Sequence, residues 1–112
     1  MVEHQDLLDI TFKALADPTR RQMLISLKSG AKSVGDLAEP HDMSLAAASK
    51  HIRILENAGL LIREVEGRNH RCSLAVGRLA EAENWLHDMS NFWTGRLDAL
   101  EQELIAERND ND

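Results

Sequence analysis

The sequence predicts a mainly helical fold with one small β-hairpin, in the order of four helices, two strands and one long helix. Three observations predict it. Apolar residues recur at helical spacing through most of the chain, capping residues precede several of these segments, and one stretch after residue 60 alternates in polarity around a glycine. With 112 residues, 43% of them hydrophobic, the chain is expected to form one domain over residues 1–112.

The first two helices meet at the sequence ADPTRR. Apolar residues at helical spacing predict a helix over residues 5–16. Asp17 is a suitable N-cap for the next helix, and Pro18 suits its first position, because the N–H that proline lacks would have no partner there. Gly30 is a plausible end for this segment. The apolar face of this second helix consists of Met23, Leu24 and Leu27.

A short third helix and a turn lead to the fourth helix. Ser33 and Asp36 have the spacing of a capping box, and Pro40 forces an early exit. Ser44 can cap the following helix. A short helix, a turn and a second capped helix together make a helix-turn-helix motif.

The fourth helix has two contrasting faces. At 100° per residue, the inward face consists of Leu45, Ala48, Ile52 and Leu55, and the opposite face consists of Ala46, Lys50, Arg53 and Asn57. Gly59 is expected to end the helix in a left-handed conformation, with Leu60 folding back over the last turn.

The remaining chain predicts a hairpin and a long helix. The stretch LIREVEGRNHRCSL alternates around a glycine-containing turn, which places Arg68 at the tip and Arg63 and Arg71 on the strands. A hairpin that directly follows a helix-turn-helix forms a wing. From about residue 76 to residue 107 the apolar spacing is helical again.

The charge is distributed unevenly along the chain, whose net charge is −6. Residues 44–75 carry five basic and three acidic side chains, a net of +2, whereas residues 76–112 carry three basic and nine acidic ones. The overall acidity therefore hides a locally basic region. An ordinary solvated surface of mixed charge is the alternative interpretation of this region.

The basic region lies on the part of a helix-turn-helix that binds DNA. The second helix of this motif enters the major groove, where small residues allow close approach and long basic side chains reach phosphates or guanine edges. A basic wing can reach the adjacent minor groove or its phosphates. The predicted contacts with double-stranded DNA are Ser44, Ala46, Ala47, Ser49, Lys50, Arg53, Arg68 and Arg71.

Several stretches resemble one known family. FKALADPTRRQMLISL, DLAEPHDMSLAAASKHIRILENAGLL and EGRNHRCSL are similar to the winged helix-turn-helix repressors of the ArsR/SmtB family, and LAEAENWLHDMSNFWTGRLDALEQEL resembles a subgroup that lacks the metal sites. The similarity extends from about Asp9 to Leu104. It implies a homodimeric repressor that binds a pseudo-palindromic operator. Ala46 departs from the family pattern, since relatives often have proline there.

A dimer interface is expected to involve the two ends of the chain. A helix of about thirty residues is too long for a domain of this size to cover alone. The predicted interface residues are Leu8, Phe12, Leu86, Met89, Trp93, Leu97 and Leu100. The aromatic residues Trp85, Phe92 and Trp93 would also suit core packing or an effector pocket, and the sequence identifies no effector.

A metal-responsive sensor is one alternative function. The family's metal site on the third helix resembles Cys-Val-Cys-Asp-Leu, whereas residues 33–37 of this chain read SVGDL and lack both thiolates. On the last helix, His87 has only Glu83 one turn before it. We therefore expect no metal and no cofactor. A winged-helix module that binds proteins rather than DNA is the alternative from another class.

Each of four further side chains allows two interpretations. His51 is either a packed, hydrogen-bonded residue or a base reader, and Arg20 and Arg21 either contact phosphates or are solvated. Basic neighbours could lower the pKa of Cys72, but without a second cysteine as a resolving partner a structural role is favoured.

The sequence also excludes several classes of protein. It has no glycine-rich phosphate loop, nucleophile signature or metal cluster, which argues against an enzyme. It has no apolar run of bilayer length and no signal-peptide pattern, and it has one cysteine. We therefore expect no membrane partner and a cytoplasmic location.

Overall fold

The computed structural model describes residues 4–110. These residues form five α-helices and three short strands: α1 (His4–Leu15), α2 (Pro18–Ser26), a 3₁₀ turn (Leu27–Ser29), β1 (Lys32–Ser33), α3 (Val34–Ala38), α4 (Leu45–Asn57), β2 (Leu61–Glu66), β3 (Asn69–Leu74) and α5 (Gly77–Asp110). The predicted order of helices and hairpin is confirmed, with β1 as an addition. Of the described helices, none is long and apolar enough to cross a membrane.

The chain divides into two compact units, one ending at Ala82 and the other beginning at Glu83. The first unit contains the hydrophobic core, in which α2, α3 and α4 pack with the strands. Its largest fully buried apolar side chains are Met23, Leu37, Ile52, Leu55 and Leu60. In the second unit, the described residues belong to one helix.

Side-chain caps begin three of the helices in the first unit. Asp17, Ser33 and Ser44 each accept a hydrogen bond from the backbone N–H three residues ahead, at 3.0, 3.1 and 3.1 Å. The Asp36 carboxylate accepts in return from the Ser33 N–H at 3.4 Å, which completes the predicted capping box. These bonds satisfy N–H groups that have no partner within the helix. All three predicted caps are confirmed.

The C-terminus of α4 turns sharply into β2. Gly59 adopts φ +74°. Its N–H donates to the Glu56 carbonyl, and the Leu60 N–H donates to the Leu55 carbonyl, both at 3.0 Å. This pair of bonds is a Schellman motif, and it directs the fully buried Leu60 back into the core. The predicted left-handed stop at Gly59 is confirmed.

The sheet has three antiparallel strands in the order β1-β3-β2. Gly67, at φ +61°, and Arg68 form the two-residue turn between β2 and β3. The third strand, β1, places Lys32 opposite Cys72. A strand of two residues shows no alternation in the sequence, so only its pairing with β3 reveals it.

We predict that Gly59→Ala destabilises the protein more than Gly67→Ala. Both glycines have positive φ, which costs an alanine about 1 kcal/mol. A Cβ at Gly67 meets no atom within 4 Å, whereas one at Gly59 would lie 2.8 Å from Arg78 Cγ. We therefore expect a loss of about 1 kcal/mol for Gly67→Ala and about 2 kcal/mol for Gly59→Ala. Urea unfolding measures both, and equal losses would contradict the crowding at Gly59.

Candidate nucleic-acid interface

Helix α4 has one fully buried face and one exposed face. Ala48, Ile52 and Leu55 are each 0% exposed. On the opposite side, all four predicted residues are exposed, namely Ala46, Lys50, Arg53 and Asn57. Burial of one side therefore fixes the direction in which the two cationic side chains project.

The first turn of α4 is smooth and accessible. Ala46 is exposed and Ala47 and Ser49 are half-buried, so at these three positions only small side chains separate the backbone from an approaching surface. The prediction that Leu45 faces inward is wrong, because it is 61% exposed. Helical side chains lean toward the N-terminus, and Leu45 is the first helical residue, so it extends past the core rather than over a preceding turn.

The wing carries two exposed arginines. Arg68 is exposed at the hairpin tip. Arg71 is exposed on β3, directly across from Glu64 in the strand register. Arg63 differs from both, since it is only 16% exposed and donates to the Glu56 carboxylate at 3.0 Å. Arg63 therefore ties β2 to the end of α4 and is not available as a free cation.

An open cleft of about 640 Å³ lies between α3, α4 and the wing. Its lining includes the cations Lys32, Arg68 and Arg71 and the paired Arg63, against one acidic side chain, Asp36. Ser33, Ser49 and Asn69 add neutral polar groups to the lining, and Ala31, Val34 and Leu45 add apolar surface. This composition makes the cleft attractive to an anionic chain such as a phosphate backbone.

Lys32 is the functional candidate that sequence reasoning missed. It lies on β1, whose pairing with β3 brings it beside the wing. Along the chain it is separated from the other candidate contacts by α3 and the turn that follows. The available signal was a lysine directly before the capping serine of α3, which does not by itself indicate an interface.

The two arginines of ADPTRR have internal partners. The three guanidinium nitrogens of Arg20 contact the Ala14 carbonyl at 2.7 Å, the Lys13 carbonyl at 3.1 Å and His51 Nδ1 at 3.2 Å. Arg21 Nη1 donates to the Leu15 carbonyl at 2.7 Å. These bonds favour a structural role for Arg20 over a contact with phosphates or a solvated side chain. They also confirm that His51 is hydrogen-bonded within the chain.

The predicted dimer residues differ in exposure. Leu8 is 8% exposed, which leaves almost no surface for a partner, and Phe12 is half-buried. The predicted residues of α5 are much more exposed, at 40% for Met89 and between 52% and 63% for Leu86, Trp93, Leu97 and Leu100. Near them, the Phe92 and Trp93 rings meet edge to face at 5.7 Å.

Cys72 is a buried thiol on β3. Its side chain is 0% exposed. Burial raises the pKa of this thiol above its ordinary value of 9.0, and the opposing effect of the Arg63 charge is smaller. The hypothesis that basic neighbours lower its pKa is therefore wrong. A thiol that is both protonated and covered is a poor nucleophile and a poor metal ligand.

We predict that Cys72 resists alkylation in the folded protein. At pH 8 the raised pKa keeps the thiol protonated, and the side chain offers no surface to the reagent. Iodoacetamide labelling followed by mass spectrometry should show little modification in buffer and complete modification in urea. Labelling in buffer at the rate of a free cysteine would contradict both the burial and the pKa shift.

The sequence is similar to known regulators over most of its length. Residues 17–63 match the family described as "Bacterial regulatory protein, arsR family". The transcriptional repressor SdpR of Bacillus subtilis (strain 168) is 36% identical over 80 residues, which are 71% of this chain and 89% of SdpR.

Solved structures share the fold. The ArsR family transcriptional regulator RHA00566 has a TM-score of 0.78 at 36% identity, covering 84% of this chain and 97% of that chain. The homodimeric winged helix-turn-helix DNA-binding domain Mb0332 of Mycobacterium bovis has a TM-score of 0.62 at 26% identity, covering 78% of this chain and 81% of that chain. These relatives are transcriptional regulators and not enzymes. The capped helix α4, the wing that follows it and these similarities show that the chain belongs to the ArsR family of winged helix-turn-helix transcriptional regulators.

Proposed function

We propose that the chain is a homodimeric repressor that occupies a pseudo-palindromic operator in the cytoplasm and thereby blocks transcription. One observation carries this proposal, namely the exposed face of α4, from which Lys50 and Arg53 project opposite a completely buried face. The relative SdpR is named a transcriptional repressor, which supports repression rather than activation.

Helix α4 is proposed to enter the major groove. Ser44, Ala46, Ala47 and Ser49 lie at or near its start, where their small side chains let the backbone approach the bases. Lys50 and Arg53 follow on the exposed face. Both are long enough to reach guanine edges or phosphates, and an arginine can bind the guanine O6 and N7 atoms together.

The wing and the cleft are proposed to hold the phosphate backbone. Arg68 and Arg71 supply two cations, and Lys32 adds a third from β1. Contacts of this kind orient the protein on the duplex and carry no sequence information directly. None of the acidic residues concentrated after residue 76 is among the proposed contacts, so the net charge of −6 is compatible with local attraction of DNA at these contacts.

Helix α5 is proposed to supply most of the dimer interface. Its exposed apolar residues recur every three or four positions, which is the spacing of helices that pack side by side. From Leu86 to Leu104 this stripe extends about 27 Å along the helix at 1.5 Å per residue. Such a stripe is stable in water only when another surface covers it. The homodimeric state of the Mb0332 domain supports a second copy as that surface.

We predict that Lys50→Ala and Arg53→Ala weaken operator binding without unfolding the protein. Each residue is exposed, so its loss removes no core contact. If the residue reads a base edge, the cost should be about 1–3 kcal/mol and should be concentrated at one operator position. Fluorescence anisotropy with a duplex selected from a random library measures the affinity.

Two further variants sharpen this test. Lys28→Ala removes an exposed cation of the 3₁₀ turn that lines a different cleft, together with Leu24 and Leu74, and should leave affinity unchanged. Arg68→Ala should weaken binding to all sequences alike and reduce the salt dependence by about one unit of slope. Wild-type affinity in both Lys50→Ala and Arg53→Ala would remove α4 from the interface.

We predict that Met89→Asp or Leu97→Asp produces a monomer that no longer binds the full operator. Either change places an unpaired charge in the proposed interface, at a cost of several kcal/mol. One subunit then offers a single recognition helix, so contacts with two half-sites no longer add together. Sedimentation velocity gives the oligomeric state, and a DNA titration gives the affinity.

Gln102→Asp is the matched control for this prediction. At 100° per residue it lies on the opposite side of α5 from Leu97 and Leu100, and it adds the same charge to the same helix. It should remain dimeric and bind normally. A folded Leu97→Asp monomer with wild-type operator affinity would contradict the proposed role of the dimer.

A further inference from the structure

The side chain of Arg20 connects three helices. Arg20 belongs to the first turn of α2, and its Nε and Nη2 atoms donate to the Ala14 and Lys13 carbonyls at the end of α1. Its Nη1 atom lies 3.2 Å from His51 Nδ1 on α4. All three guanidinium nitrogens therefore have a partner, and each partner except His51 lies on α1.

The bonds to α1 take the place of the glycine cap with which many helices end. The last four carbonyls of a helix have no partner within it, and a glycine often follows to satisfy them. Here Ala16 follows α1, and Arg20 and Arg21 supply donors to the carbonyls of residues 13, 14 and 15. The arginine pair thus fixes the end of α1 against the start of α2.

The bond to α4 is directional and partly protected from water. Arginine only donates hydrogen bonds, so His51 Nδ1 is the acceptor in this contact. Asp17 Oδ2 lies 3.9 Å from the same nitrogen, and the Asp17 and His51 side chains are 31% and 23% exposed. Asp17 Oδ2 also accepts from the backbone N–H of Arg20 at 3.0 Å, so Asp17, Arg20 and His51 lie close to one another.

We propose that Arg20 and His51 are positioning residues that set the rotation of α4 about its own axis. This inference rests on the proposed docking of α4 on DNA. Burial of the apolar face determines which side of α4 is exposed. Apolar contacts have no directional preference, however, so they leave small rotations of the helix about its axis open. The Arg20–His51 hydrogen bond does have one, and His51 directly follows Lys50 in the chain. The bond thus limits these small rotations and sets the final direction of Lys50 and Arg53 on the exposed face.

The main test compares two substitutions at His51. His51→Leu removes the acceptor and keeps a side chain of similar bulk, whereas His51→Asn places an oxygen near the position of Nδ1. We expect His51→Leu to lose about tenfold in operator affinity, which lies within the range for coupled residues in one hydrogen-bond network. Binding to an unrelated duplex should stay unchanged, because it depends on phosphate contacts. His51→Asn should restore most of the loss.

A double substitution separates positioning from direct contact. Arg20→Met should weaken binding to a similar extent, and Arg20→Met with His51→Leu should be no weaker than the weaker single variant. The salt dependence of Arg20→Met should match that of the wild type. A slope reduced by about one unit would show a direct phosphate contact and overturn the inference.

Arg21→Met is the matched control. It removes a neighbouring arginine that also donates to a carbonyl of α1, and it has no hydrogen bond to α4 among those of the described residues. It should bind like the wild type. If His51→Leu does not fold, Arg20→Met carries the test, because methionine has no donor to offer His51. Wild-type affinity in folded Arg20→Met would then overturn the inference.

The outcome also distinguishes this inference from the proposed function. If Lys50→Ala weakens binding while folded His51→Leu and Arg20→Met do not, DNA binding through α4 stands and the positioning role is overturned. If none of these variants changes affinity, both are overturned. Circular dichroism and thermal unfolding of each variant show which losses come from folding alone.

Discussion

The complete burial of one face of α4 is the constraint on which the rest of the site depends. Ala48, Ile52 and Leu55 lie in the core with no exposed surface, so the helix cannot turn without exposing them. The Schellman motif at Gly59 ends this helix and turns the chain directly into the sheet. The same packing that stabilises the first unit therefore presents the basic face and orients the wing beside it.

The second unit has the opposite character. Its described residues form one helix whose apolar side chains, from Leu86 to Leu104, remain largely exposed. The first unit has a core of its own, whereas this helix needs an apolar surface from elsewhere. In the proposed dimer, one interaction supplies that surface and also brings two recognition helices together. Stability and DNA binding would then depend on the same association.

Local signals in the sequence predicted most of the fold. Capping residues, the glycine stop and the hairpin turn each act within a few positions of the chain, and the structure confirms them. Features that depend on distant partners were missed. The chain order alone does not show that β3 would pair with Lys32, that Arg20 would reach His51, or that burial would outweigh the basic neighbours of Cys72. Leu45 was misplaced because helical periodicity ignores where the core ends.

The central claim is that two copies of α4 and its wing bind a two-fold symmetric duplex. Selection of binding sites from random double-stranded DNA, followed by footprinting of the enriched sequence, tests it most directly. We expect an inverted repeat whose half-sites are centred about one helical turn, or a multiple of it, apart, with both major grooves protected. Enrichment of no sequence, or of a single asymmetric site protected by one subunit, would contradict the account.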